Sequence, residues 1–148
     1  MTFTEPAFWL LAEDGVWPPE IDIMEVLGNS PTTLYTSAHI EQNNKEVNFG
    51  TATTVPDTSQ GWHTYAVDWE PDTITWYFDD GPVYQIPTPP TLNVPMYIEF
   101  NLALGGYWPG NVDQTTPFPS QMEVEWIRVY TSKPATDQIR NCGGMLML

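Results

Sequence analysis

Glu20, Asp22 and Glu25 fall within the six-residue stretch Glu20-Ile21-Asp22-Ile23-Met24-Glu25, threaded through apolar, strand-forming neighbours. Carboxylates are depleted in strands, so three in one strand ask for a reason. Two carboxyl groups held close together, one ionised and one protonated, can act as nucleophile and as general acid/base. In an extended strand positions i and i+4 are roughly 13 Å apart, and two glutamates leaning together bring their carboxyl groups to about 5 to 6 Å. Retaining glycoside hydrolysis uses a separation of about 5 to 5.5 Å: one carboxylate attacks the anomeric carbon while the other first donates and later accepts a proton. With Asp22 between them, crowded carboxylates resist ionising together, which leaves one glutamate protonated while the other stays anionic.

A regular strand does not bring these groups together. Side chains alternate faces, so Glu20 and Asp22 share one face and Glu25 points to the other. A β-bulge near Met24 places two residues opposite one, returns Glu25 to the face of Glu20, and lines one groove with three carboxylates. Ile21, Ile23, Met24, Val26 and Leu27 supply the opposite, core-facing side. The acidic pattern alone is weak: with 19 acidic residues in 148 it arises by chance about 0.3 times in such a chain. An acidic, solvent-facing strand explains it without any chemistry.

The elements around this strand read as β throughout. Pro6 to Ala12 is a short apolar run, followed by a breaker-rich loop from Glu13 to Pro19 that carries Trp17. Leu34 to Glu41 alternates Leu34, Thr36, Ala38 and Ile40 against Tyr35, Ser37, His39 and Glu41, a half-buried strand with His39 on its polar face. Strands are predicted over Val47 to Thr53, Trp62 to Trp69, Ile74 to Phe78, Val83 to Ile86, Met96 to Leu104, and Met122 to Tyr130. The Asp80-Gly81 turn supplies positive φ to a hairpin. Pro87 to Pro95 is a connection, and from Ser132 onward the chain reads as a linker or tail outside the core. Roughly nine alternating strands imply two packed antiparallel sheets, a β-sandwich or jelly roll.

Composition narrows the partners. One domain is expected from 148 residues, and a net charge of -15, from four basic against 19 acidic residues, repels nucleic acid and anionic membrane. No apolar run reaches the length of a transmembrane helix, and the N-terminus shows no signal-peptide pattern. The lone Cys142 makes no internal disulfide or cysteine metal cluster, and neither histidine sits at a metal-ligand spacing, so no catalytic metal is expected.

The ordered segments Pro6-Ala7-Phe8-Trp9-Leu10-Leu11, Trp17-Pro18-Pro19-Glu20, Gly61-Trp62-His63-Thr64-Tyr65, Asp68-Trp69, Ile74-Thr75-Trp76-Tyr77, Asn101-Leu102-Ala103-Leu104-Gly105-Gly106 and Ile127-Arg128-Val129-Tyr130 flank the acidic strand. Together with it they resemble glycoside hydrolase family 16, the laminarinase, lichenase and agarase group, in its bulged form. The Trp-Pro-Pro-Glu start and the Glu25-Val26-Leu27-Gly28 continuation look most like bacterial members that cut glucan-type exopolysaccharides. The resemblance implies a concanavalin A-like jelly roll with Glu20 as nucleophile, Asp22 as the residue that orients it and tunes its charge, and Glu25 as general acid/base. Members of the family have several strands before the Pro-Ala-Phe-Trp segment where this chain has only Met1 to Glu5, so an N-terminally truncated and incomplete jelly roll is expected. Residues 1–131 are then a partial catalytic domain and 132–148 a linker or tail.

Trp9, Trp17 and Trp108 are candidates to stack on sugar rings. Loop packing is the other reading for Trp17 and Trp108, and core burial for Trp9. Trp62, Trp69, Trp76 and Trp126 read as core or strand-surface residues. His39 suits a hydrogen bond to Asp22 or to sugar, or exposure on its polar face; His63 suits a structural role. Asn101 reaches the groove or makes a ladder-edge bond. Many relatives hold a structural calcium through a carboxylate of the last strand, where this chain has Glu125 for the more usual aspartate. The other ligands lie in the missing N-terminal part, so no cofactor is expected. The expected function is endo-acting, retaining hydrolysis of an extracellular β-glucan or related polysaccharide by a secreted monomer without nucleic-acid or membrane partners. A carbohydrate-binding, lectin-like module that has lost turnover is the alternative.

Overall fold

The computed structural model of the chain describes residues 3–131 and the backbone of 144–147. Its strands are β1 (Thr4–Ala12), β2 (Glu20–Val26), β3 (Thr33–Gln42), β4 (Lys45–Thr54), β5 (Tyr65–Trp69), β6 (Thr73–Phe78), β7 (Gly81–Pro87), β8 (Met96–Leu104), β9 (Arg128–Thr131) and β10 (Gly144–Met147). One 3₁₀ turn, Pro90–Leu92, sits in the proline-rich connection. The strands form two five-stranded antiparallel sheets, ordered β4-β3-β2-β1-β8 and β7-β6-β5-β10-β9. This is the all-β sandwich of jelly-roll type that alternating faces and frequent turns predict.

The core lies between the sheets. Phe8, Leu10, Ile21, Ile23, Leu34 and Ala38 from the first sheet meet Val67, Trp69, Ile74, Trp76 and Ile86 from the second, all buried. Phe8 of β1 also stacks on Phe100 of β8, ring centroids 4.6 Å apart. Trp76 is wholly buried on β6, and its indole N–H donates across the core to the backbone carbonyl of Asp22 at 2.9 Å. β3 has the faces that alternation assigns, with Leu34, Thr36, Ala38 and Ile40 buried.

Several predicted boundaries move. The strand read from Trp62 begins at Tyr65, because the amide of Thr64 is claimed by the Asp79 carboxylate, and Trp62 is exposed in the preceding loop. In the β6–β7 hairpin positive φ falls on Asp79 (46°) and Asp80 (64°), the two central residues of the turn, and Gly81 opens β7. Asp79 is held there by His63, whose Nδ1 lies 2.8 Å from its carboxylate, the structural use expected of that histidine. The strand expected over Met122 to Tyr130 is reduced to β9: residues 121–127 have no ladder partner among the described residues, and Trp126 lies outside any strand, its ring beneath the Arg128 guanidinium. The tail expected over 132–148 lies mostly outside the described residues. Gly144–Met147, which it included, is β10, inserted between β5 and β9.

Candidate active site

The bulge is present, and it arranges the three carboxylates. Glu20 lies opposite Leu11 of β1 and His39 of β3, Asp22 opposite Trp9 and Ser37, and Glu25 opposite Ala7 and Tyr35. Between Asp22 and Glu25 the register shifts, so that Ile23 and Met24 together occupy the space facing Thr36. Both of these apolar side chains are buried in the core, at 1% and 4% exposure. Two consecutive inward residues use up one step of the alternation, and Glu25 emerges on the outer face with Glu20 and Asp22.

Asp22 is the innermost of the three, 3% exposed. The Ser37 hydroxyl donates to its Oδ2 at 2.5 Å, and His39 Nε2 lies 3.1 Å from the same oxygen. The other ring nitrogen of His39 lies 2.8 Å from the Glu46 carboxylate, and its Nε2 is 3.8 Å from Glu20 Oε1. Hydrogen bonding to Asp22 dominates the environment of this imidazole and, with Glu46 and against the opposing effect of burial, raises its pKa to about 9. The site therefore holds an imidazolium beside Asp22 and Glu20 at neutral pH.

The two glutamates are pushed apart in acidity. Burial, then the charge of Asp22, raises Glu20 to about 7, while His39 and the indole N–H of Trp17, which donates to Glu20 Oε2 at 3.0 Å, pull it down. Burial, then the charges of Asp22, Glu5 and Glu20, raises Glu25 further, to about 8, against the opposing charge of His39. Of the two glutamates, Glu25 is thus the more strongly held in its protonated form, while Trp17 and His39 favour the anion at Glu20.

The candidate binding residues gather on the same face. Trp9 donates its indole N–H to the Asn101 side-chain carbonyl at 2.7 Å, a contact that orders both at the floor beside Asp22. Trp17 is 53% exposed over Glu20 and His39, and Trp108 is 42% exposed with its ring 4.8 Å from that of Tyr35, edge to face. Trp9 is half-buried, so neither core burial nor full exposure describes it. Three residues of the site escaped the sequence. Ser37 and Glu46 hold Asp22 and His39; Ser37 was legible as a polar-face residue but its spacing carries no motif. Gly50, opposite Ser37, leaves room for this: a Cβ there would come within 2.9 Å of the Ser37 Cβ. Glu5 carries no mark in the sequence because Pro6 reads as a strand boundary, whereas β1 starts at Thr4 and Pro6 registers with Leu102 of β8 while β2 pairs only from Ala7 onward.

Glu20, Asp22 and His39 each offer a ligand atom within 4.8 Å of the others, the one such group among the described residues. A cation taking this group would have to displace the proton that His39 holds between the Asp22 and Glu46 carboxylates.

The model of glycosyl hydrolases family 16 matches residues 4–128. The chain belongs to that family. Among curated members, it is 38% identical over 126 residues to the endo-1,3-1,4-beta-glycanase EglC of Rhizobium meliloti (strain 1021), a match covering 85% of this chain and 27% of the relative. It is 33% identical to the beta-glucanase of Rhodothermus marinus, covering 86% of this chain and 52% of that protein. Among solved members, the laminarinase catalytic domain of Thermotoga maritima MSB8 superposes with a TM-score of 0.71 at 27% identity, covering 99% of this chain and 56% of that one. The endo-beta-1,3-glucanase of Pyrococcus furiosus gives 0.67 at 31% identity, with 99% and 53% covered. The chain thus spans between about a quarter and about half the length of these family 16 relatives.

Proposed function

We propose that this chain carries the catalytic face of an endo-acting, retaining β-glycoside hydrolase that cleaves a β-glucan or glucan-type exopolysaccharide outside the cell. The observation that carries the reading is the bulge at Ile23 and Met24, which sets Glu20 and Glu25 on one face with Asp22 between them, Glu25 the more strongly raised of the two. Glu20 attacks the anomeric carbon as the bond to the leaving sugar breaks, and Glu25 delivers its proton to the departing glycosidic oxygen. The resulting glycosyl ester on Glu20 is then attacked by water. Glu25, now a carboxylate, takes the water's proton, and the two displacements restore the original anomeric configuration. Asp22, fixed by Ser37 and His39, keeps Glu20 in place and loads the site with charge. Trp9, Trp17 and Trp108 offer flat faces to sugar rings, and Asn101 an amide to their hydroxyls.

Reducing-end release from laminarin, lichenan and a panel of bacterial glucans tests this, with the anomer formed first read by NMR. Glu20→Gln and Glu25→Gln should each abolish release while the circular dichroism of the protein is unchanged. Near wild-type cleavage by either variant refutes the assignment, and binding without release by the unaltered chain refutes turnover.

A further inference from the structure

Glu5 and Glu25 face the same side of the first sheet from adjacent strands. Glu25 lies opposite Ala7 of β1, and Glu5 stands two residues along β1 on the same face, which makes the two carboxylates diagonal neighbours. Diagonal cross-strand positions are roughly 7 to 8 Å apart, within reach of long side chains. The methyl of Ala7 fills little of the space between them, and the residue opposite Glu5 on β8 is another alanine, Ala103. No cation intervenes: the ion pairs among the described residues all use histidine, His39 with Glu20, Asp22 and Glu46, and His63 with Asp79. The ionisable groups that share the face with Glu25 are Glu5 on β1, Glu20 and Asp22 on β2, Tyr35, His39 and Glu41 on β3, Glu46 on β4, and Tyr97 and Glu99 on β8.

We propose that Glu5 is a positioning residue for the general acid: its carboxylate, diagonal to Glu25 across an alanine gap, holds the Glu25 proton in place by like-charge repulsion and extends the acid's working range to higher pH. The charge environment agrees. After burial and Asp22, Glu5 is the next contributor that raises Glu25, ahead of Glu20. Glu5 is itself raised, by burial and then Asp22, whereas Glu25 is raised by burial and then by Asp22, Glu5 and Glu20. The coupling acts wherever Glu5 is the anion while Glu25 keeps its proton. The role of Glu25 as acid rests on the function proposed above; the electrostatic coupling does not.

Carboxyl-¹³C glutamate labelling and an NMR titration decide the matter, with the Glu25 resonance assigned by its loss in Glu25→Gln. Glu5→Gln should lower the Glu25 midpoint by roughly 0.5 to 1 pH unit, and Glu5→Ala should do the same. Glu5→Asp keeps the charge and should hold the midpoint within about 0.3 unit of wild type. A Glu25 midpoint unchanged in both uncharged variants overturns the proposal, as does an Asp variant that shifts as far as the Gln variant, since packing rather than charge would then be responsible. If the chain hydrolyses glycan, the alkaline limb of kcat/KM should fall with Glu5→Gln and recover with Glu5→Asp. Absence of hydrolysis refutes the proposed function alone, because the titration reads the coupling without turnover.

Discussion

Replacing Glu25 with Gln should make the protein more stable at alkaline pH and leave its stability in acid unchanged. The native carboxyl, enclosed and facing Asp22, Glu5 and Glu20, titrates at about 8, while in the unfolded chain it titrates near 4.5. Between those values the folded protein keeps a proton that the unfolded chain has released. Stability then falls as pH rises, by about 1.4 kcal/mol for each pH unit, and the loss is complete once pH passes the folded value. The full interval corresponds to ~4 to 5 kcal/mol; the carboxyl keeps some contact with solvent and its neighbours adjust, so about 1 to 3 kcal/mol is expected. Glutamine has the shape of the protonated acid and never ionises. Below pH 4.5 variant and wild type should therefore differ little from their common packing, and the variant's advantage should grow through pH 8. Urea unfolding followed by tryptophan fluorescence at pH 4 and pH 9 measures both differences, and the difference between them isolates the charge. In thermal scans at pH 9 the gain is about 3 to 9 °C for a chain of this size. An advantage of equal size at both pH values, or a less stable variant at pH 9, refutes the electrostatic account of the site. His39 adds to the wild-type decline with the same sign, since its folded pKa of about 9 exceeds the unfolded 6.5 and its contribution is lost as pH rises through the folded value.

Three further outcomes are expected from contacts in and beneath the site. Hydrolysis should show a narrow bell in kcat/KM, rising as Glu20 loses its proton near 7 and falling as Glu25 loses its own near 8. His39→Ala removes a positive charge that favours the Glu20 anion and should move the acid limb upward, and an acid limb in the same place refutes that coupling. Trp76→Phe strands the buried carbonyl of Asp22, which the indole N–H now satisfies at 2.9 Å; a loss of about 1 to 3 kcal/mol in urea unfolding is expected, and a loss under about 0.5 kcal/mol is against it.

What could be read in advance depended on whether a residue's surroundings are local. The faces of β3 follow from one buried side, which imposes alternation on the sequence itself. The bulge was legible for a related reason: Ile23 and Met24 are adjacent and both apolar, so one of them breaks the alternation that the acids on either side set up. Pairing between distant segments leaves no such trace. Gly144–Met147 is apolar after a glycine pair and resembles a tail until β5 and β9 are placed on its two sides. Residues 121–127 alternate like a strand, yet alternation only states which face would be buried and supplies no neighbour to bond with. The hairpin turn was displaced by one residue because Asp79 is fixed by His63 and Thr64, partners outside the turn. Glu5 and Glu46 matter only through cross-strand neighbours, and a carboxylate next to a proline or a lysine has no local mark of that.

The same bulge that makes the site also obliges the core to hold it. An extra residue in β2 interrupts the ladder between Asp22 and Glu25 and leaves backbone polar groups needing other partners inside the sandwich. Trp76 answers that need at Asp22 from the opposite sheet, while the side chain of the same Asp22 receives Ser37 and His39 on the outer face. One residue is thus clamped from both sides, by the core through its carbonyl and by the groove through its carboxylate. Three carboxylates crowded on one strand repel one another, and a loosely held strand would relieve that repulsion by slipping register or turning Glu25 inward. Burial of Ile23 and Met24 opposes the slip, since moving either outward exposes apolar surface, and the indole bond opposes the local rotation that would follow. The charge arrangement on which the chemistry depends is therefore kept by apolar packing on the far side of the sheet, so core substitutions around Trp76 should alter the acidity of Glu25 even though they touch no carboxylate.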